Sequence, residues 1–484
     1  MIKTFFKPLS VILISLMFVG CGSSDKDNDQ KEYEGPLPVL FIHGTSGSAS
    51  QFQSQAQRFL ANGYSKELLY AWEYDSGPLA DASVNLDSSE YLTFLFDTTT
   101  GEGGFNDQIE TQIDEILEAT GASQINLMGH SLGTIVSHMF LSRANQEGRV
   151  YKYVNLDGYN GRDSASPFGG IETLALWARA NSDTALVDEA NGVDDYDLNQ
   201  AHIEIATSAT SFAKIYEFFN GVAPETTDIL DAETETVTIA GKANIFPDNV
   251  GAEDTTLFIY EINADTAARI SQTPINTDGF GISSDGSWGP VEISKGAAFE
   301  FVLEHGTQEN ADHYFYLEPF YADDYFVRLN TGRVGEGFSE DLTGNANHSN
   351  LVIVRDREFW ANVDGGNDVL MVNSENVFAQ NELAMDGEGL SAGAQSRRLS
   401  SLFLSDQDES GDSSYENIDD VTSVSFIAGM DFFIDATTAD TIEIQLTPRG
   451  DSGLTQTINV PNRASDEVRI ISVQFRDYVQ SRNE

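Results

Sequence analysis

The sequence has few basic residues for its number of acidic ones. It contains 77 aspartates and glutamates but only 26 lysines and arginines, and its formal net charge at pH 7 is −51. DNA or RNA would repel such a chain, because phosphate binding depends on neutralisation by lysine and arginine. Electrostatic docking on an anionic lipid surface is disfavoured for the same reason. The composition therefore argues against a nucleic-acid partner. It favours either a saline or extracellular setting, where salt screens self-repulsion, or simply high solubility.

Cysteine is almost absent, since Cys21 is the only one. Neither an intramolecular disulfide nor a cysteine zinc site is possible. Two lysines and an apolar run at 9–19 precede Cys21, which is the layout of a secretory signal peptide and is too short for a comfortable membrane span. Residues 16–21 resemble a bacterial lipobox. This implies that residues 1–20 are removed and that Cys21 is diacylated and anchors the protein in the cell envelope, at the outer membrane. The alternative is an ordinary signal cleaved elsewhere, which would leave a secreted protein.

The hydrophobic pattern divides the remaining chain into three parts. Residues 21–36 are mainly polar and are typical of a tether. Over 37–230, apolar strands alternate with helical patterns, which predicts a mostly parallel α/β sheet with helices on both faces. Over 231–484, period-two runs replace the helical pattern and predict an all-β region, an antiparallel sandwich or barrel. This region forms either one unit or two units that divide near 345–350.

The strongest catalytic motif lies in the α/β part. Residues 129–133 have the sequence Gly-His-Ser-Leu-Gly, which fits G-x-S-x-G. The motif follows the apolar run 125–128 and opens a helical pattern, and a strand that turns sharply into a helix is the setting in which such a serine is exposed as a nucleophile. We therefore predict Ser131 as the nucleophile of an α/β-hydrolase.

A serine nucleophile needs a base, and the base needs a carboxylate that orients it. In α/β-hydrolases the chain order is Ser, Asp or Glu, then His. His202 follows Ser131 in a polar stretch and is the predicted base, whereas His138 belongs to the helix after the serine and is expected to point away. Asp157, at the carboxyl end of the predicted strand 151–156, is the favoured acid. Four other aspartates compete for that role: Asp183, Asp188, Asp194 and Asp195.

The turn after the first buried strand is the expected place for oxyanion donors. His43 and Gly44 follow the apolar run 39–42, so a tight turn there can aim a backbone N–H at the reacting oxygen. We predict the N–H groups of Thr45 and Leu132 as the two donors and expect His43 itself to be structural.

No metal or organic cofactor is needed for chemistry of this kind. Two acidic stretches are candidate calcium-binding segments: residues 194–197 and residues 406–412. The second partly fits a Ca²⁺ loop, but Asn417 stands where the pattern requires glutamate. Both stretches are therefore expected to be solvated.

These segments resemble the two-domain lipase/carboxylesterase family known from Archaeoglobus. The likeness covers the first strand and its turn, the serine motif, the segments that carry the acid and the histidine, four further short segments of the α/β part, and the end of the β-rich half. The residues are 41–48, 51–52, 61–64, 127–134, 155–158, 201–202, 217–221, 226–229, 473–475 and 477–479. The resemblance implies an α/β-hydrolase domain and a C-terminal β-barrel that helps with long-chain lipid esters. It also implies a lid, here over 76–105, and supports Ser131, Asp157 and His202 as the triad.

The sequence thus predicts a serine carboxylic ester hydrolase, a lipase or esterase that acts on lipid or other acyl esters. One alternative is a polyester depolymerase that uses the same triad. An alternative of another class is a non-catalytic surface lipoprotein that binds lipid or glycan. The complete order of serine motif, aspartate and histidine argues against the last of these.

Overall fold

A computed structural model describes part of the chain, and Pro36–Glu484 form one unit in it. The described residues are Tyr33, 35–76, 104–141, 148–158, 171–178, 194–197, 200–306, 312–333, 341–360, 368–379, 399–419, 421, 426–438, 440–450 and 454–478. The predicted signal peptide, the lipid-anchor residue Cys21, nearly all of the predicted lid, and the competing acids Asp183 and Asp188 lie outside them.

The N-terminal half is built on one parallel sheet, which confirms the predicted α/β class. Its strands, ordered β2-β1-β3-β4-β5-β6 in the sheet, are β1 Val39–Ile42, β2 Leu69–Trp72, β3 Ile125–His130, β4 Val150–Leu156, β5 Glu172–Ala178 and β6 Asp194–Asp197. All six run parallel. All side chains of β1 and β3 are buried, as expected for strands that are covered on both faces.

Helices cover both faces of this sheet. They are α1 Gln53–Ala61, α2 Phe105–Thr120, α3 Leu132–Leu141, α4 Glu204–Thr207 and α5 Ala209–Asn220. The apolar sides of α2 and α3 pack on one face, where Ile109 and Phe140 are fully buried. Those of α1 and α5 pack on the other, where Phe59 and Phe212 are fully buried. None of the described helices is long and apolar enough to cross a bilayer.

The C-terminal half is all β, as predicted. Its strands are β7 Thr236–Ile245, β8 Val250–Gly251, β9 Thr255–Ile262, β10 Phe280–Gly281, β11 Ser287–Ser294, β12 Ala298–His305, β13 His313–Leu317, β14 Asp324–Thr331, β15 Leu351–Phe359, β16 Val369–Val372, β17 Glu375–Asn376, β18 Leu399–Ser405, β19 Ile427–Asp431, β20 Thr441–Thr447, β21 Gln456–Pro461 and β22 Ile471–Phe475.

These strands form three sheets of mainly antiparallel pairs. An eight-stranded sheet has the order β10-β9-β12-β13-β22-β15-β18-β19, and two four-stranded sheets contain β11-β7-β14 with β8, and β17-β16-β20-β21. Some pairs run parallel, a feature the alternating sequence pattern does not predict. The last strand, β22, lies between β13 and β15 and is parallel to both. It therefore joins the segments on either side of the predicted division near 345–350 into one sheet.

The two halves share a buried boundary along α1. The ring of Phe326 in β14 lies 6.1 Å from that of Phe41 in β1. Asp324, only 1% exposed, accepts hydrogen bonds from Gln53 at 2.6 Å and Gln57 at 3.1 Å. The β half is thus packed directly against the sheet that carries the serine motif.

The stability of this boundary should depend on pH through Asp324. Burial raises the pKa of Asp324 from 3.8 to about 6. Because the folded protein then binds this proton more tightly than the unfolded chain, the stabilisation is complete below about pH 4 and is lost as pH rises through about 6. The loss amounts to about 3 kcal/mol for two pKa units.

Asp324→Asn, which cannot titrate, isolates this effect. In urea unfolding, its free energy of unfolding relative to the natural protein should rise by about 2 kcal/mol between pH 4.5 and pH 7.5. A difference that stays constant over this range would contradict the prediction.

Candidate active site

Ser131 occupies the sharp turn between β3 and α3. Its φ is +52°, in the left-handed region that residues other than glycine rarely adopt and that costs free energy. Hydrogen bonds hold it from both sides. The Ser131 N–H donates to the carbonyl of Leu156 at 3.0 Å, and the Ser131 carbonyl accepts from Thr134 N–H at 3.0 Å and Thr134 Oγ1 at 2.6 Å. The strained serine is therefore fixed by the surrounding backbone.

The glycines of the motif allow the close approach that this turn needs. A Cβ added to Gly133 would lie 2.3 Å from the carbonyl oxygen of Ile42, and one added to Gly129 would lie 2.7 Å from that of Gly133. Gly44 lies close to the serine, since a Cβ added to Gly44 would lie 2.9 Å from Ser131 Cβ. The predicted oxyanion turn and the predicted nucleophile are consequently neighbours.

Asp157 and His202 meet although 45 positions separate them in the sequence. Asp157 follows the carboxyl end of β4, and its Oδ2 lies 2.6 Å from His202 Nδ1. Its Oδ1 accepts the N–H of Ala178 at 2.9 Å, so both carboxylate oxygens are used. If His202 Nδ1 carries the proton that is donated to Asp157, then Nε2 is the basic nitrogen of the neutral ring. The His202 side chain is 13% exposed, which leaves the ring accessible from outside.

His130, the variable residue of the motif, links His202 to Gln51, which follows the turn after β1. Its Nδ1 accepts from Gln51 Nε2 at 2.7 Å, and its Nε2 donates to the carbonyl of His202 at 2.7 Å. The two imidazole centroids are 4.6 Å apart. Burial lowers the pKa of His130 to about 3, so His130 stays neutral and acts as a structural link.

The turn after β1 is held by its own hydrogen bonds. His43 Nδ1 donates to the carbonyl of Gly44 at 2.8 Å, and that carbonyl also accepts Gly47 N–H at 3.1 Å. The His43 ring is fully buried and stacks on Tyr74 at 4.2 Å. Burial lowers the pKa of His43, which fits the structural role expected for it. Within the described residues, the N–H groups of Thr45 and Leu132 donate to no protein acceptor.

The β half supports the same turn through Asn249. This residue lies between β7 and β8, is 6% exposed, and has φ +56°. Its Nδ2 donates to the carbonyls of Gly47 at 2.8 Å and Tyr74 at 3.1 Å. The backbone near the predicted oxyanion donors is therefore attached to the C-terminal half of the chain.

The other candidate residues have different surroundings. His138 Nε2 accepts from Asn155 at 3.1 Å and its ring contacts Tyr153, so it lies in the core as expected. Asp194 and Asp195 belong to β6, but their side chains lie outside the described set.

Three acidic residues could in principle hold a cation. Asp406, Asp408 and Asp431 can bring one carboxylate oxygen each to within 4.8 Å of one another. However, Asp406 already accepts the N–H groups of Ser410 at 3.1 Å and Gly411 at 3.0 Å. An acidic cluster with such internal bonds does not by itself establish a metal site.

Sequence reasoning did not find Gln51, Asn249, or two residues of the β half that contact the His202 segment, Glu358 and Phe426. Gln51 belongs to a segment that resembles the family but was given no role, and the other three lie in no recognised segment. Each contacts a residue at least 79 positions away, such as His130 for Gln51. A side chain of this kind leaves no local pattern to detect.

Three family models match three separate parts of the chain. The model "Lipase (class 2)" matches residues 36–145, which contain the turn after β1 and the serine motif. The model "Lipase C-terminal domain" matches 235–334, and a third model, described as a C-terminal domain, matches 337–479. The matches cover the first part of the α/β half and most of the β half. Residues 146–234, which contain Asp157 and His202, lie between the first and second matches.

Solved structures give more distant likenesses. Naproxen esterase (carboxylesterase NP) from Bacillus subtilis is 13% identical, with 39% of this chain and 85% of that chain covered and a TM-score of 0.26. A predicted CIB-like hydrolase from Thermoplasma acidophilum is 15% identical over 40% and 89%, with a TM-score of 0.26. Phospholipase PlaB from Legionella pneumophila is 11% identical over 64% and 97%, with a TM-score of 0.25. These likenesses are too weak to support a conclusion on activity, and no curated protein matches the chain.

Proposed function

We propose that this chain, a lipase/carboxylesterase of two-domain architecture, hydrolyses carboxylic esters. The residues that carry out the reaction are Ser131, Asp157 and His202. The observation that carries this proposal is the 2.6 Å contact between His202 Nδ1 and the buried Asp157 carboxylate. A buried carboxylate that fixes one imidazole nitrogen leaves the other to accept a proton, which is the arrangement a serine hydrolase needs. The strained turn at Ser131 supports the assignment of the nucleophile.

The reaction follows from these positions. Ser131 Oγ attacks the ester carbonyl carbon while His202 Nε2 takes the hydroxyl proton, and the carbonyl oxygen becomes an oxyanion that the N–H groups of Thr45 and Leu132 stabilise. Collapse of the tetrahedral intermediate breaks the bond to the alcohol oxygen, which receives the proton from His202. Water then attacks the acyl-enzyme with the same proton transfers and releases the carboxylic acid and free Ser131. Asp157 remains ionised and stabilises the imidazolium.

Fluorophosphonate labelling tests the proposal directly. The purified protein should gain one phosphonyl group on the peptide that contains Ser131, as mapped by mass spectrometry, and should lose p-nitrophenyl ester hydrolysis in parallel. A protein that binds lipid or glycan without catalysis would not react. A series of p-nitrophenyl esters from acetate to palmitate, together with a triacylglycerol emulsion, then separates an esterase from a lipase that acts on long-chain lipids.

We also propose that Cys21 carries a lipid anchor that places the enzyme at the bacterial outer membrane, where its acyl-ester substrate would be met. The lipobox-like segment 16–21 supports this. When expressed in a bacterium, the natural protein should partition into the detergent phase of Triton X-114 and Cys21→Ser into the aqueous phase. An unchanged partition would argue for ordinary secretion.

A further inference from the structure

We infer that Glu358 and Phe426, both from the β half, are positioning residues for His202. The inference rests on the proposed function, since it concerns the base of that reaction. It assigns to the C-terminal half a direct part in ester hydrolysis, through the geometry of the base rather than through binding of the substrate.

Glu358 fixes the backbone that follows His202. It lies near the end of β15 and is completely buried. One carboxylate oxygen accepts the N–H of Ile203 at 2.6 Å, and the other accepts that of Glu204 at 3.0 Å. Because the peptide between His202 and Ile203 is planar, holding its N–H restricts the direction in which the His202 side chain leaves the backbone.

The carbonyl side of the same peptide is held by β3 of the parallel sheet, through His130. The carbonyl of His202 accepts the Nε2–H of His130 at 2.7 Å. The peptide between His202 and Ile203 is therefore hydrogen-bonded on both sides. Its oxygen accepts from His130, and its N–H donates to Glu358. This arrangement sets the distance between the proposed base and the proposed nucleophile from both halves of the protein.

Glu358 is itself held in place by arginines. Its carbonyl accepts from Arg355 at 2.7 Å and from Arg449 at 2.6 Å. Arg449 continues to the Glu204 carboxylate at 2.7 Å, and Arg357 reaches the same carboxylate at 2.8 Å. Arg355 and Arg449 thus hold the Glu358 backbone, while Arg449 and Arg357 pair with the Glu204 carboxylate next to the His202 segment.

Phe426 restrains the imidazole ring itself. Its ring lies 5.7 Å from that of His202, with an angle of 11° between the planes. The residue has φ +70°, which is costly for a bulky side chain. Its carbonyl accepts the N–H groups of Ser400 at 2.8 Å and Ser401 at 3.2 Å, and these bonds help to hold the strained backbone. The parallel ring limits rotation of His202 on that face.

Glu358→Gln tests the role of the carboxylate. The amide keeps one acceptor but turns an NH₂ group towards one of the two N–H groups, so one hydrogen bond is lost. A displacement of about 1 Å in a catalytic group can lower the rate about 100-fold. We expect kcat for p-nitrophenyl butyrate at pH 8 to fall about 10- to 100-fold, the rate of fluorophosphonate labelling to fall by a similar factor, and KM to change less than about threefold.

Asp324→Asn is the matched control. It also neutralises a buried acid of the β half that faces the α/β half, but Asp324 contacts Gln53 and Gln57 of α1 and not His202. We expect its kcat at pH 8 to stay within about threefold of the natural value. Equal losses of kcat in both variants would show that Glu358 acts only through general packing, and would overturn the inference.

The failure of this inference can be told apart from failure of the proposed function. A folded Glu358→Gln protein with natural kcat would overturn the inference while Ser131 chemistry still stood. If Glu358→Gln does not fold, Phe426→Leu gives the same test, because Phe426 is only partly buried. It should lower kcat about threefold to 30-fold without a comparable change in KM. Natural kcat in this variant would overturn the inference.

Discussion

Ser131→Ala is expected to lower kcat for p-nitrophenyl esters by about 10⁵-fold or more, because no other group can form the acyl-enzyme. The remaining rate would come from binding and oxyanion stabilisation alone. Alanine removes only the hydroxyl oxygen, which forms no hydrogen bond within the described residues. The free energy of unfolding should therefore change by less than about 0.5 kcal/mol.

The loss must be measured together with folding. Single-turnover and steady-state hydrolysis give the rate, and urea unfolding gives the stability. Ser472→Ala is a suitable control, because Ser472 is a buried serine of β22 and contacts His313 rather than the site. Turnover that persists in Ser131→Ala would mean that another residue is the nucleophile.

Asp157→Asn is expected to lower kcat by about 10⁴-fold. The amide can still accept the N–H of Ala178 through Oδ1, but it presents an NH₂ group to His202 in place of Oδ2. The imidazole then favours the tautomer that is protonated on Nε2, which cannot take the proton of Ser131. KM should change far less than kcat, because Asp157 is buried and does not face the substrate.

Asp194→Asn serves as the comparison, since Asp194 competed for the same role in the sequence. We expect it to keep kcat within about threefold of the natural value. If Asp194→Asn lost activity and Asp157→Asn kept it, the acid would have to be reassigned. The contact between Asp157 and His202 would then be a structural ion pair.

The reaction class could be predicted from local patterns. A four-residue apolar run, a glycine-flanked serine before a helix, and an aspartate at the end of the next strand each lie within a short stretch of chain. Burial and backbone geometry act on such stretches directly, so β1, β3 and β4 form close to where the sequence places them. The preference for Asp157 over Asp183, Asp188, Asp194 and Asp195 rests in part on the family resemblance.

The expectations drawn from the acidic composition and from Cys21 also rest on the sequence alone. They argue against a nucleic-acid partner and indicate export, whatever the arrangement of the strands. No folded contact among the described residues adds to either expectation.

Only the tertiary structure decided which residues of the β half contact the candidate active site. Glu358 meets Ile203 across 155 positions, and Asn249 meets Gly47 across 202. A hydrogen bond between such distant residues depends on the packing of β15 and of the β7–β8 turn against the α/β half, and this has no counterpart in local periodicity. The sequence determined which residues we propose for ester hydrolysis, because that chemistry depends on residue type and order. The tertiary structure decided what holds His202 in place, because that depends on distances that only long-range packing sets.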